Sequence, residues 1–293
     1  MAKRRPPTVH GLAVVDKPAG VTSHDVVNLL RRRFGERRIG HAGTLDPDAT
    51  GVLLVGVGSV TRLLRFLTEL GKTYTAEVVL GIETTTLDAA GETTATYDMR
   101  GVMVDDARRV VAEHLTGDIM QVPPMVSALR VDGRRLHELA REGIEVERVP
   151  RPVTISRFTV EPTDDPLVLR IEVTCSSGTY VRSLAADLGK LLGGGAHLRA
   201  LRRTASGSFT EAEAAPPDSC ELLPPSAALR DRTQVIVDDA TAALVHHGRV
   251  LPAFDGTPPW ALLDEHGQLL ALYEAFRSGE AKPAVVLAGG PDG

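Results

Sequence analysis

The chain has 293 residues, 43% of them hydrophobic and 24% charged, with a formal net charge of −5. That length buries a sizeable core and suits two domains, and the composition is that of an ordinary globular chain, not a disordered or fibrous one. No apolar run reaches the roughly 20 residues of a membrane span. The opening Met1-Ala2-Lys3-Arg4-Arg5-Pro6-Pro7 lacks the apolar centre of a secretory signal, and two cysteines, Cys175 and Cys220, are too few for a zinc cluster or a disulfide framework, so reduced thiols in the cytoplasm are expected.

The net charge hides an uneven distribution. Met1 to Lys72 holds twelve Lys/Arg against six Asp/Glu, and Arg182 to Arg203 holds five basic residues against one acid. Between Ala205 and Ala240 the balance reverses. Local basic surfaces of this kind can hold phosphates although the whole chain is acidic; a solvated charged face is the ordinary reading of any one run, such as Arg31-Arg32-Arg33.

In chain order, Val26, Val27, Leu30 and Phe34 recur at helical spacing after Ser23, which reads as the N-cap. Gly40–Gly51, Gly-His-Ala-Gly-Thr-Leu-Asp-Pro-Asp-Ala-Thr-Gly, follows and is the most informative stretch. Pro47 pushes Asp46 away from the helical region, and a carboxylate presented this way has little freedom, as a nucleophile or an acid/base group requires. By themselves these residues fit an Asp-Pro turn beside an N-cap better than a reactive acid. Val52–Val57 is a short apolar segment behind the loop. Lys72–Leu80 reads as a strand with Tyr74, Ala76, Val78 and Leu80 on one face.

Asp105–Leu115 is a candidate helix capped by Asp105, and Arg134–Arg141 a shorter basic one closed by Gly143. Leu167–Cys175 alternates as a strand, making Cys175 a core thiol. A helix is expected from about Tyr180 to Leu192, with Arg182 in its first turn, where the helix dipole disfavours a cation and a compensating carboxylate is called for. Glu211–Pro225, with two Pro-Pro pairs, reads as a linker. Beyond it come a helix at Asp239–His247, a hairpin over Trp260–Leu263 and Gln268–Tyr273, and a strand at Ala284–Leu287. Gly71-Lys72-Thr73 lacks the upstream glycine of a phosphate-binding loop, since position 66 is Phe, and no dinucleotide fingerprint or paired-histidine metal motif is present.

Taken together these segments resemble the RNA pseudouridine synthases, in the branch that modifies the T-loop uridine of tRNA. Gly40–Gly51 matches that family's aspartate motif except at Ala42, where the family usually has Thr; Leu54, just beyond, stands where it usually has Pro. Val15-Asp16-Lys17-Pro18-Ala19-Gly20 resembles its Lys-Pro motif. Lys72-Thr73-Tyr74, Leu80-Gly81 and Asp88-Ala89-Ala90-Gly91 resemble its tyrosine-bearing strand, and Gln121-Val122-Pro123-Pro124 with Ser127-Ala128-Leu129 the segment before its RNA-clamping insertion. Ser177-Gly178-Thr179-Tyr180-Val181-Arg182 and Leu201-Arg202-Arg203 resemble its last two motifs. The matches follow the family's order from about Gly11 to Phe209.

The resemblance implies an α+β fold. It comprises a catalytic domain over 9–210 with a mixed, largely antiparallel sheet flanked by helices, an inserted thumb at about 120–153, a linker at 211–232, and a small β-rich PUA-like domain over 233–288. It implies isomerisation of the uridine at position 55 of tRNA to pseudouridine, without cofactor or metal, by a monomer that meets the T-loop and T-stem. Asp46, Tyr74 and Arg182 match the catalytic positions: Asp46 attacks C1′ or C6, or takes the C2′ proton; Arg182 pairs with it; Tyr74 packs on the base and helps remove the C5 proton. His41, Gly43, Thr44, Leu45, Tyr180 and Arg202 are implied to bind substrate, His41 by occupying space in the T-loop, while Lys17 and Pro18 support the loop. In the thumb, Arg130, Arg134, Arg135, Arg141, Arg148 and Arg151 are candidates to meet phosphates, but Asp132, Glu138, Glu142, Glu145 and Glu147 lie among them, so charge alone does not establish an RNA contact there. Two alternatives stay open: a non-catalytic RNA-binding or RNA-folding protein on the same scaffold, and an unrelated hydrolase using Asp46 as nucleophile.

Overall fold

Alternating apolar side chains on the first strands feed two cores at once. In the computed structural model, which describes residues 6–127, 130–131, 134–136, 142, 144 and 146–287, strands β1 (Gly11–Lys17) and β3 (Thr50–Val57) send Ala13, Val15, Leu53, Val55 and Val57 to one side and Leu12, Val14, Val52 and Leu54 to the other. Burial on both faces is why 52–57 reads as an unbroken apolar run. Between them lie α1 (Ser23–Phe34) and β2 (Ile39–Ala42).

After a 3-10 turn at Gly58–Leu63 come α2 (Leu64–Thr68), β4 (Lys72–Leu80), the β5–β6 ladder (Ile82–Thr84, Thr93–Thr96), α3 (Val104–His114) and β7 (Gly117–Gln121). Next are β8 (Arg130–Val131), β9 (Arg134–Arg135), β10 (Arg151–Pro162), β11 (Val168–Cys175), α4 (Val181–Leu191), β12 (Ala196–Ser206), β13 (Phe209–Thr210) and β14 (Leu222–Leu223). The main sheet runs β14-β1-β3-β12-β4-β11-β10-β7, with β2 on β3 and β13 on β12. Only the β12–β3 pairing within it is parallel, so the sheet is mixed and largely antiparallel, as expected.

A second sheet, β15 (Thr233–Ile236), β17 (Trp260–Leu263), β18 (Leu269–Ala275), β19 (Glu280–Val286) and β16 (Leu251–Pro252) in that order, carries α5 (Asp239–His246). Its Ala261, Leu263, Leu269, Leu272 and Val285 join the core behind β1 and β3, and its Trp260, Leu262 and Tyr273 pack with Ala242 and Val245 of α5 on the other face. The segment between the sheets lies against the first one: β14 pairs with β1, and Cys220, Ala228 and Leu229 are buried.

Local details depart from the sequence reading where a side chain has a better use. Thr22, not Ser23, caps α1, in a reciprocal box with Asp25; Ser23 turns inward. Asp105 lies inside α3, whose start is marked by Asp106 accepting from the Met103 amide at 3.3 Å. Much of the helix expected over Arg134–Arg141 lies outside the described residues, and its first two positions form a strand paired with Arg130–Val131 instead.

Gly51 is where strand packing leaves no room for a side chain. Its φ is +100°, and a Cβ there would stand 2.2 Å from the Arg203 carbonyl oxygen on β12. Gly51→Ala is expected to cost on the order of 3 kcal/mol, read as a fall in the urea midpoint. Gly20→Ala, at φ +78° with nothing within 4 Å, carries only the backbone penalty of about 1 kcal/mol. Equal losses in the two variants would show that the contact with Arg203 is not what demands glycine.

Candidate active site

Four strands bring their chemistry to one row across the main sheet. Lys17 on β1 stands opposite Gly51 on β3, Gly51 beside Arg203 on β12, and Arg203 opposite Tyr74 on β4. The loop from Gly43 to Ala49 rises over this row and is fastened along its backbone. Ser23 Oγ accepts from the Leu45 amide at 2.9 Å and lies 3.1 Å from the Leu45 carbonyl, to which it donates. The Lys17 ammonium donates to the carbonyls of Pro18, Val21 and Pro47 at 2.9, 2.6 and 2.8 Å, and the Gly20 amide also donates to Pro47. Arg203 donates to the carbonyls of Gly43 and Val52 at 3.2 and 2.6 Å. Asp46 is thereby held from both sides by groups that are themselves buried.

The helix start at Val181 supplies the partner that the sequence called for. Arg182, its side chain only 5% exposed, forms an ion pair with Asp46, Nε lying 3.1 Å from Oδ2, and donates from Nη2 to Asp46 Oδ1 at 3.3 Å. The other edge of the same guanidinium meets Asp88 Oδ2 at 3.3 Å, and the carbonyls of Thr86 and Val126 take further N–H groups at 3.0 and 2.8 Å. A cation against the start of a helix is thus compensated by two carboxylates and two carbonyls.

The Asp46 carboxylate, 43% exposed as a side chain, opens into a cavity of about 240 Å³. Gly43, Thr44, Leu45, Tyr74, Tyr180 and Arg182 line it with Asp46. Tyr180 is fixed by Gln121, which accepts from its amide at 2.8 Å and donates to its carbonyl at 3.1 Å. His41 is not among the lining residues; it lies on β2, half-buried, with Nδ1 lacking a partner among the described residues. Arg202 points to the opposite side of β12, where it pairs with Asp16 at 3.0 Å and Glu211 at 2.7 Å, so the structure does not bring it to the cavity. Pro18 contributes its carbonyl to Lys17.

Three lining or flanking residues carry weight that the sequence reading did not give them. Arg203, not Arg202, faces the cavity; in a strand, neighbouring residues face opposite ways, and parity with Leu201, which also lines it, points to Arg203. Lys72 shares the Tyr74 face by the same parity, and its ammonium is held by the carbonyls of Thr68 and Leu70. Asp88, in a motif already singled out, shares Arg182 with Asp46. In the thumb region, Arg134 pairs with Glu142, Arg148 donates to the Pro123 carbonyl at 3.1 Å, and Arg151 is exposed, while Arg141 lies outside the described residues.

Burial raises the Asp46 acid above the ordinary carboxylate value; Arg182 works against that shift and Asp88 adds to it. Tyr74 is raised by burial, with Arg203 opposing. Lys72 is lowered to about 8, first by burial and then by the charge of Arg203. His41 is lowered by burial, then by Arg203 and His24. Three cations and one carboxylate therefore line a single cavity, an arrangement suited to an electron-rich ligand next to a constrained acid.

Fold and site together define a carboxylate-centred site on a mixed sheet, and comparison with known proteins places it. Residues 31–181 match the model of the TruB family pseudouridylate synthase N-terminal domain, and residues 182–217 the tRNA pseudouridylate synthase B C-terminal domain. The chain is 47% identical over 276 residues to a tRNA pseudouridine synthase B of Corynebacterium aurimucosum, covering 90% of this chain and 92% of that one. It is 46% identical to that of Thermobifida fusca, over 95% and 99% of the two chains. Among solved structures, a chain of a Cbf5-Nop10-Gar1 complex superposes with a TM-score of 0.74 at 25% identity, over 95% of this chain and 85% of that one. The chain belongs to the TruB family of pseudouridylate synthases.

The opposing influences on Asp46 give a direct test. In a carbon-13 NMR titration, Asp46 is expected to ionise above the ordinary carboxylate value of about 3.9, and higher still in Arg182→Met. A lower value in the variant would show that the guanidinium does not stabilise the carboxylate.

Proposed function

We propose that this protein converts the uridine at position 55, in the T-loop of tRNA, to pseudouridine. The observation that carries the reading is Asp46, fixed against Arg182 at the edge of a cavity that Tyr74 also lines. The reaction breaks the N1–C1′ bond, turns the base and joins C5 to C1′; the C5 proton leaves and N1 gains one. Nothing is added overall, so a site built from a carboxylate, a cation and an aromatic hydroxyl meets the chemistry.

In this reading the target nucleotide leaves its stack to enter the cavity. Ionised Asp46 begins the reaction. Arg182 keeps it ionised and aimed, and Tyr74 packs on the base and assists loss of the C5 proton. Gly43, Thr44, Leu45 and Tyr180 contact the flipped nucleotide, and His41 fills space in the T-loop from β2. Arg203 takes the place first given to Arg202, and Lys17 and Pro18 hold the loop. We further assign 9–210 as the catalytic unit with its thumb at about 120–153, 211–232 as the connection, and 233–288 as a PUA-like domain. A cytoplasmic location fits the two buried, unbridged thiols of Cys175 and Cys220. Among the described residues no helix is long and apolar enough to cross a membrane.

Tritium release from C5-labelled uridine in an unmodified tRNA transcript tests the assignment. Wild type is expected to release it and Asp46→Asn to release none while still binding the RNA; equal release would remove Asp46 from the mechanism. Because the ionised acid is the active form and its pKa is raised, wild-type turnover is expected to fall on acidification at a pH above the ordinary carboxylate range of about 3.9. Arg182→Met should lower turnover by roughly 100-fold or more with tRNA Kd nearly unchanged. A loss confined to Kd would make Arg182 an RNA anchor instead.

A further inference from the structure

The hairpin that joins β18 to β19 carries an exposed aromatic ring with two cations beside it. Phe276 is 44% exposed. The Arg277 guanidinium carbon and the Lys282 ammonium each lie 5.0 Å from its ring centroid. Strand pairing carries through this tip, since the Phe276 amide donates to the Glu280 carbonyl at 3.0 Å, so the ring stands on regular backbone. Glu280, across from Phe276, is the acid nearest in register; Glu274, which pairs with Lys282 across the strands, is also engaged by Arg65 at 3.5 Å.

The direction of this tip follows from strand parity. Leu272 and Glu274 lie on one face of β18, and Phe276, one residue past its end, continues their alternation. Leu272 belongs to the core shared with β1 and β3, and Glu274 reaches Arg65 on α2. Phe276 therefore continues the face turned toward the main sheet, about 7 Å along the strand beyond the Arg65 contact. Helix α2 ends at Thr68, which lines the Asp46 cavity. The tip is thus tied, through the Glu274–Arg65 pair, to the helix whose last residue lines the cavity.

We propose that Phe276, Arg277 and Lys282 form a second RNA contact, in which one unpaired base of the bound tRNA stacks on Phe276 while the two cations meet its flanking phosphates. The proposal rests on the tRNA-modifying reading above. An exposed ring with two adjacent cations is the pairing that single-stranded nucleic acid satisfies: the base supplies a π face and the backbone supplies charge.

The test uses the full chain and an unmodified tRNA transcript. Phe276→Ala is expected to weaken tRNA binding roughly five- to twenty-fold, with turnover at saturating tRNA unchanged and Phe276→Trp restoring affinity. Arg277→Ala and Lys282→Ala should each lower the slope of log Kd against log salt by about one phosphate contact, whereas Phe276→Ala should leave the slope as it is. Wild-type affinity in Phe276→Ala, or equal loss in the Trp variant, overturns the stacking role and leaves the patch to a protein partner or to packing. Failure of the parent reading looks different: wild type itself would then release no tritium, whatever its affinity for the RNA.

Discussion

Two buried cations hold the loop that carries Asp46. Lys17 and Arg203 are 0% and 1% exposed. Taking a charge out of water costs several kcal/mol unless hydrogen bonds replace the lost solvent. Here the replacements are backbone carbonyls, three for Lys17 and two for Arg203, and one of each set belongs to the Asp46 loop: Pro47 for Lys17 and Gly43 for Arg203. Any displacement of the loop would strip a buried cation of a partner. The aspartate is rigid because its neighbours' carbonyls are committed elsewhere, and the rest of the sheet is arranged to deliver those two cations beneath it.

Arg182 sets the second constraint. A single guanidinium serves two carboxylates, Asp46 through one edge and Asp88 through the other, while two carbonyls occupy remaining donors. That fork geometry fixes the plane of the Asp46 carboxylate, which a lysine could not do. It also balances opposing pulls on the acid. Burial and Asp88 favour the protonated form, and Arg182 and Lys17 favour the ionised one. An acid left partly desolvated and still raised is more basic and more nucleophilic than a free aspartate, which suits the attack or proton abstraction proposed for it.

Much of this was legible in the chain. The Asp-Pro loop, the strand bearing Tyr74 and the misplaced cation Arg182 all carried local signals: a constrained turn, period-two alternation, and a charge of the wrong sign at a helix start. The alternating strand Val168–Cys175 and the helix at Val181–Leu191 did so too. What the sequence left ambiguous was choice between neighbours. Thr22 and Ser23 can both cap, and tertiary contact with Leu45 decides that Ser23 does not. Arg202 and Arg203 are chemically equal, and only strand parity and cross-strand register decide which faces the cavity. Asp88 was beyond reach, because its pairing with Arg182 joins positions far apart in the chain through a folded-back loop.

The acidic net charge and the cationic cavity are one design seen at two scales. Several surface arginines are answered by acids: Asp16 and Glu211 share Arg202, and Glu213 holds Arg230. The cations that face the cavity are instead answered mainly by backbone carbonyls, which leave their charge unneutralised. A carbonyl solvates a cation without cancelling it, so Lys72 and Arg203 project positive potential into the cavity while Arg182 is the one paired with acids. Phosphate-rich ligands are then drawn to the cleft by a field the bulk charge does not reveal, and the one carboxylate lining that cleft, Asp46, is the group whose position Lys17, Arg182 and Arg203 hold.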